Sequence, residues 1–387
     1  MDISSEELAR RARSKGRLGI DTEFMGEGRY QPLLCLVQIS IDAADGDGVE
    51  VHLLDPLTEE FDHEPLADLL ADPEVEIVLH AARQDIALLR RDWGKPITNV
   101  FDTQIAAGFA GLRAQMGYEA LLKSMVNVSV QKSASFTRWS ERPLTPEQLD
   151  YAASDVIHLL DLATALQDKL EALGRLDWAR EECRSFETID DSRDIDRLFD
   201  KLPKVNSLDP KQRAIARELV IWREEAASEA DRPASTVLHE SALVEIAKRH
   251  PKSLDRLRQI RGVSEPTLHR RGKSLLDAIE RGRHGEPIPA GGDRPPPSDP
   301  LDSQLIPLCE ALTRVRATEA ELAYELVASR SDLQRIVSAV RAGSTEPDVR
   351  TLQGWRRELV GEEILELLAG KRTLRVSDKL GLEISES

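Results

Sequence analysis

From Leu18 to Phe24 the chain alternates: Leu18, Ile20, Thr22 and Phe24 fall on one side, Gly19, Asp21 and Glu23 on the other. A period of two predicts a strand, and side chains at i and i+2 share a face, so Asp21 and Glu23 are neighbours on it. A short helix over Ser5–Ser14 precedes this strand. Apolar runs at Leu33–Ile41 and Val49–Leu54, parted by the turn-forming DAADGDG, predict two more strands, and Val75–Leu79 predicts a short buried one. His80-Ala-Ala-Arg-Gln then leads into a helix with Asp85 in its first turn and Ile86, Leu88 and Leu89 on its apolar side. Further on, LTPEQLDYAASDVIHLLDLATAL has Thr145 as N-cap, Pro146 at the first helical position and Gln148 three residues after the cap, a capping box with a proline start. Leu149, Ala152, Ala153, Val156, Leu159, Leu160 and Ala163 form one apolar stripe, which predicts a single long helix. Tyr151 and Asp155, at i and i+4, lie one above the other on it.

The second half reads as helix throughout. Over 207–285, helical periodicity is punctuated by Pro233, Pro251, Gly262 and Gly272, a pattern that predicts a small all-α bundle with Trp222 in its core. Residues 286–300 are rich in Pro and Gly and lack hydrophobic periodicity, as expected of a linker. Helical signals return over 301–375, and TLRVSDKLGLEISES reads as a frayed polar tail.

Asp21 and Glu23 have no Lys or Arg in their phrase, so their repulsion would turn into binding energy around a cation, and Mg²⁺ and Mn²⁺ prefer hard oxygen ligands. Asp85 and Asp155 add two acids, enough for two ions and phosphoryl-transfer chemistry. Asp102, in NVFDTQIAAGF, could be a further metal ligand, a group behind the ligands, or the N-cap of the next helix. His80 is a candidate for a supporting position behind the ligands; a His after a strand also commonly just packs.

Asp-x-Glu on a strand, an acid near position 85 and Tyr-x-x-x-Asp on a helix resemble the DEDDy class of 3′→5′ exonucleases. LGIDTEF, LVQIS, LHAARQD, FDTQIAAGF and RPLTPEQLDYAASDVIHLLDL together resemble the ribonuclease D family, over roughly Leu18 to Leu170. The resemblance implies an α/β RNase H-like exonuclease domain over 1–195, a mixed five-stranded sheet flanked by helices. It places Asp21, Glu23, Asp85 and Asp155 at two divalent ions, Mg²⁺ or Mn²⁺, with Tyr151 beside the attacking water. An unperturbed tyrosine titrates near ~10, which favours a hydrogen-bonding role for Tyr151 over a basic one. LVIWREEAASEADRPASTVLHESALVEIAKRHPKSLDRLRQIRG resembles the HRDC module that RecQ-type helicases share with ribonuclease D, and GWRRELVGEEILELLAG the end of a second, divergent copy. The implied activity is trimming of structured RNA with a single-stranded 3′ end, tRNA precursors by resemblance, releasing nucleoside 5′-monophosphates. A DNA 3′→5′ exonuclease and a non-catalytic RNA-binding protein on the same fold are the alternatives.

Charge complicates the picture. The 387 residues carry a formal net charge of −17, unusual for a nucleic-acid binder. Between Ile246 and Lys273, however, Lys248, Arg249, Lys252, Arg256, Arg258, Arg261, Arg270, Arg271 and Lys273 face only Asp255 and Glu265, nine against two, a local charge of +7. Such an island can steer RNA on an acidic protein. A second candidate contact is QKSASFTRWSERPL, where Lys132, Arg138 and Arg142 alternate with Phe136 and Trp139; cations suit phosphates and rings suit stacked bases, while Trp139 could equally anchor the loop to the core. Cys35, Cys183 and Cys309 are far apart and form no zinc pattern, and Cys35 reads as a buried, inert thiol. No apolar run reaches membrane-spanning length and no signal-peptide pattern opens the chain, so the expectation is a cytoplasmic protein with no membrane association and no obligate protein partner.

Overall fold

A computed structural model describes residues 3–43, 48–130, 138–189, 193–289, 299–379 and 381–387. Its main sheet contains β1 (Arg17–Met25), β2 (Leu33–Asp42), β3 (Val49–Leu54), β4 (Glu76–Leu79) and β5 (Val100–Asp102), in the order β3-β2-β1-β4-β5. β2 and β3 pair antiparallel, from Val37 opposite Leu54 to Asp42 opposite Val49. β4 runs parallel to β1 on one side and to β5 on the other. Parallel neighbours need crossover connections; helices Glu64–Leu70 and Arg83–Trp93 supply them. Gly19 lets the sheet pack closely: a Cβ there would lie 3.2 Å from Leu159 Cδ2 and collide with the Ser40 hydroxyl.

The predicted capping box forms, with Thr145 and Gln148 bonding each other's backbone N–H. The single long helix does not. Helix Pro146–Val156 stops, His158 leaves helical geometry (φ −110°, ψ 7°), and a new helix runs Leu159–Ala172. The break lets the second helix turn Leu159, Leu160, Leu162, Ala163 and Leu166 wholly inward while Ile157 stays 40% exposed.

Two compact units emerge. One comprises 1–23, 35–190 and 295–387, the other 24–34 and 191–294. The C-terminal helical segment, which the sequence suggests is a separate module, therefore shares a core with the nuclease-like sheet. Trp355, 1% exposed, meets the edge of Phe109 at 4.9 Å between ring centroids and stacks on Trp178 at 5.5 Å. Arg356 pairs with Glu182 at 2.7 Å. The tail is not frayed: β6 (Arg372–Val376) and β7 (Leu382–Glu386) form an antiparallel hairpin, with Leu374 and Ile384 opposite each other and packed on this core.

In the second unit, helices Pro210–Glu229, Glu240–Arg249, Leu254–Arg258 and Glu265–His284 enclose a core that includes Trp222, whose Nε1–H donates to Ser274 at 3.0 Å. Segment 24–34 joins this unit through Tyr30, whose ring lies under Arg193 at 4.4 Å, and through Arg29, paired with Asp231 at 2.9 Å. Among the described residues no helix is long and apolar enough to cross a membrane.

Candidate active site

Strand β1 presents Asp21 and Glu23, the first turn of helix Arg83–Trp93 presents Asp85, and helix Pro146–Val156 presents Asp155. These four act on one another. Burial, then the charges of Asp85, Asp155 and Glu23, push the Asp21 carboxyl well above its ordinary range. Burial and then Asp155 and Asp85 push Glu23 up to about 8. Burial raises Asp85 to about 6 and Asp155 to about 7, in each case against a hydrogen bond that favours the charge, from Thr22 and Tyr151 respectively. Tyr151 itself is held upward, by burial and then by Asp155, Glu23 and Asp21. These influences favour the protonated hydroxyl, which donates a hydrogen bond to Asp155.

The supporting groups are well defined. Asp102 caps helix Thr103–Phe109: its Oδ1 accepts from the Gln104 and Ile105 N–H groups at 2.7 and 2.9 Å. Its Oδ2 accepts from Ala82 N–H at 2.7 Å, at the start of the helix that carries Asp85. Of the three readings open for Asp102, the cap is realised, with a brace on Asp85's helix added. The His80 ring lies 2.9 Å from the Thr103 hydroxyl and 5.4 Å from the Tyr118 ring, and burial depresses its pKa to about 4, leaving it neutral. Thr22, not singled out from sequence, hydrogen-bonds to Asp85; its signal is a hydroxyl in the otherwise apolar row Leu18, Ile20, Phe24. Sequence reasoning also misses Tyr118 and Glu119. With Tyr151, Ser154 and Asp155 they line a cleft of about 370 Å³.

The expected RNA contacts divide. Lys132 and Phe136 lie outside the described residues. Trp139 is 3% exposed, with its ring 6.0 Å from Tyr151, and so packs beneath the site instead of offering a stacking face. Arg142 is also structural: it pairs with Asp55 at 2.6 Å and donates to the Cys35 and Trp139 carbonyls at 2.7 Å each. Arg138 is exposed, 3.4 Å from Glu141. In the basic island Arg249, Arg258 and Arg271 are paired with Glu245, Asp255 and Glu265, and Glu229. Lys248, Lys252, Arg256, Arg261, Arg270 and Lys273 are exposed, and their side chains form no ion pair among the described residues.

Four carboxyls forced upward by burial and by neighbouring acids, with no Arg or Lys among the leading influences on any of them, are a donor set that suits hard divalent cations. Among the described residues no three His, Cys, Asp or Glu side chains are drawn together as a ready-made cage; Thr22 and Tyr151 hold Asp85 and Asp155 by hydrogen bonds, and repulsion opposes closer approach.

Residues 2–171 match the model of a 3′-5′ exonuclease family and residues 212–279 that of the HRDC domain. The chain is 36% identical to a ribonuclease D of Granulibacter bethesdensis over 93% of its length and 89% of that protein's. It is 35% identical to the ribonuclease D of Gluconacetobacter diazotrophicus, over 95% and 92%. Among solved structures, Escherichia coli RNase D, described as an exoribonuclease involved in structured RNA processing, superposes with a TM-score of 0.80 at 28% identity, covering 94% of this chain and 96% of that one. The catalytic core of RRP6 from Trypanosoma brucei does so at 0.54 and 25%, covering 72% and 76%. With relatives of this identity matched along nearly their whole length, the chain belongs to the ribonuclease D family of 3′→5′ exoribonucleases.

Proposed function

We propose that this chain trims structured RNA, tRNA precursors foremost, from a single-stranded 3′ end, using Asp21, Glu23, Asp85 and Asp155 as the ligands of two divalent ions. The observation that carries the reading is the effect of Asp85, Asp155 and Glu23 on the Asp21 carboxyl, with Asp155 lining an open cleft. Bound there, the ions would lower the pKa of an attacking water and stabilise the leaving 3′-oxygen. The chain's own residues do the rest. Asp21, on which the charges of Asp85, Asp155 and Glu23 all act, would help to hold both ions. Tyr151 keeps its proton and orients Asp155 and the water. Thr22 and Asp102 fix Asp85 and its helix. The exposed cations Lys248, Lys252, Arg256, Arg261, Arg270 and Lys273 supply phosphate contacts without base readout, and segment 301–375 is read as a divergent HRDC-like fold without a dense basic face.

The test is a 5′-labelled RNA hairpin with a 3′ tail, incubated with Mg²⁺, Mn²⁺ or EDTA beside a matched DNA. A ladder shortening from the 3′ end, stopped by EDTA and faster on RNA, is the expected result. Equal or faster DNA degradation would favour the deoxyribonuclease alternative, and binding without shortening the non-catalytic one.

A further inference from the structure

Gln38 and Ser40 lie in β2 with no exposed surface at all. Neither amide atom of Gln38, nor the Ser40 hydroxyl, finds a hydrogen-bond partner among the described residues. A buried amide with no protein partner is a liability that Leu or Met at the same place would remove. Its position relative to β1 gives it a use. Arg17 Nε bonds Asp42 Oδ2 at 2.9 Å, and two residues on, Gly19 faces Ser40 across the strands. Two steps along β1 for two back along β2 is antiparallel register, and the next step sets Asp21 opposite Gln38. Opposed residues share a face, with Cβ atoms about 4.5–5.5 Å apart, so this register brings the Gln38 amide within side-chain reach of the Asp21 carboxyl. That carboxyl is crowded by three other acids, and the main favourable influence on its charge is the Thr22 backbone.

We infer that Gln38 is a positioning residue for Asp21: its Nε2 donates to the Asp21 carboxylate when that carboxylate holds a cation, fixing which oxygen faces the ion. This rests on the metal-dependent reading above. Ligating carboxylates are commonly held by a hydrogen bond from behind, and losing that partner costs about 10–100-fold in metal affinity or activity. Ser40, opposite a glycine, has no such carboxylate to serve.

The experiment compares the full-length parent with Gln38→Leu, Gln38→Met and Ser40→Ala. It measures thermal unfolding, calorimetric Mn²⁺ binding without RNA, and kcat and KM on the tailed hairpin. For both Gln38 variants the expected result is thermal stability equal to or above the parent's, with kcat lowered and the Mn²⁺ Kd raised about 10–100-fold, and KM for RNA within about twofold. Ser40→Ala keeps the parent's kcat. A folded Gln38 variant that matches an active parent in kcat and Mn²⁺ binding would overturn the assignment, as would an equal loss in Ser40→Ala. The Met variant carries the test if the Leu variant does not fold. A parent with no metal-dependent shortening would overturn the reading of the site itself and this inference with it.

Discussion

Asp102→Asn is the most discriminating change available outside the four acids. The carboxylate makes three bonds to backbone N–H groups, with Oδ1 serving Gln104 and Ile105 and Oδ2 serving Ala82. Asparagine keeps one oxygen. With that oxygen on the helix end, the cap survives and the amide NH₂ points at the Ala82 N–H, donor against donor. Hydrogen bonds to a charged group contribute about 1.5–3 kcal/mol each. Ala82 is fully buried and gains no water in exchange, so the Asn variant should lose about 2–3 kcal/mol, and Asp102→Ala, which loses the cap as well, about 3–5 kcal/mol. The freed Ala82 lies three residues before Asp85, so kcat on the tailed hairpin should fall about tenfold in the Asn variant while RNA binding is kept. Urea unfolding gives the first number and a single-turnover assay the second. An Asn variant within about 0.5 kcal/mol and about twofold of the parent would refute the brace between Asp102 and the Asp85 helix.

Asp155→Asn should abolish turnover and leave RNA binding intact; wild-type rate in that variant would sink the ligand assignment. Neutralising Lys252, Arg256, Arg261 and Arg270 together should weaken binding and flatten the slope of log affinity against log salt by about 0.7–0.9 for each phosphate no longer neutralised, and an unchanged slope would move the RNA face elsewhere. Glu23, Asp85 and Asp155 have folded pKa values of about 8, 6 and 7, above their ordinary ones. In the EDTA-treated chain these groups should therefore cost stability as pH rises from about 4 to about 8, while Mn²⁺ binds more tightly over the same range and releases protons; thermal melts with and without Mn²⁺ at about pH 4.5 and about pH 8.5 read both. Trp355→Ala, by removing a fully buried ring from between Phe109 and Trp178, should destabilise the sheet-bearing unit by about 3–5 kcal/mol and reduce nuclease activity with it; separate melting of the C-terminal segment with activity unchanged would contradict a shared core.

What the sequence discloses and what it conceals differ in range. The i, i+2 placing of Asp21 and Glu23, the Thr145–Gln148 box and the burial of Cys35 and Trp222 follow from neighbours a few positions apart, and the structure has them all. Asp102 could be read as a cap, but its bond to Ala82 joins residues twenty apart. Arg142 and Trp139 look like an RNA-binding pair until Asp55 and the Cys35 carbonyl, far away in the chain, occupy the guanidinium. The break at His158 interrupts an apolar stripe that continues on both sides, so periodicity alone joins the two helices. In the tail, Leu374, Val376, Leu382 and Ile384 do alternate, but short charged flanks obscure the pattern.

The sheet-bearing unit is interrupted by residues 191–294 and resumes only at 295. On a ribosome this imposes an order of events. The helical bundle can close while the surface around Phe109 and Trp178 still awaits Trp355, and at roughly 5–20 residues per second the stretch from 295 to Trp355 takes several seconds to arrive. For that interval the nascent nuclease carries an uncovered aromatic patch, a handle for chaperones. A product of stalled translation would keep that patch permanently and be marked for disposal by the same feature.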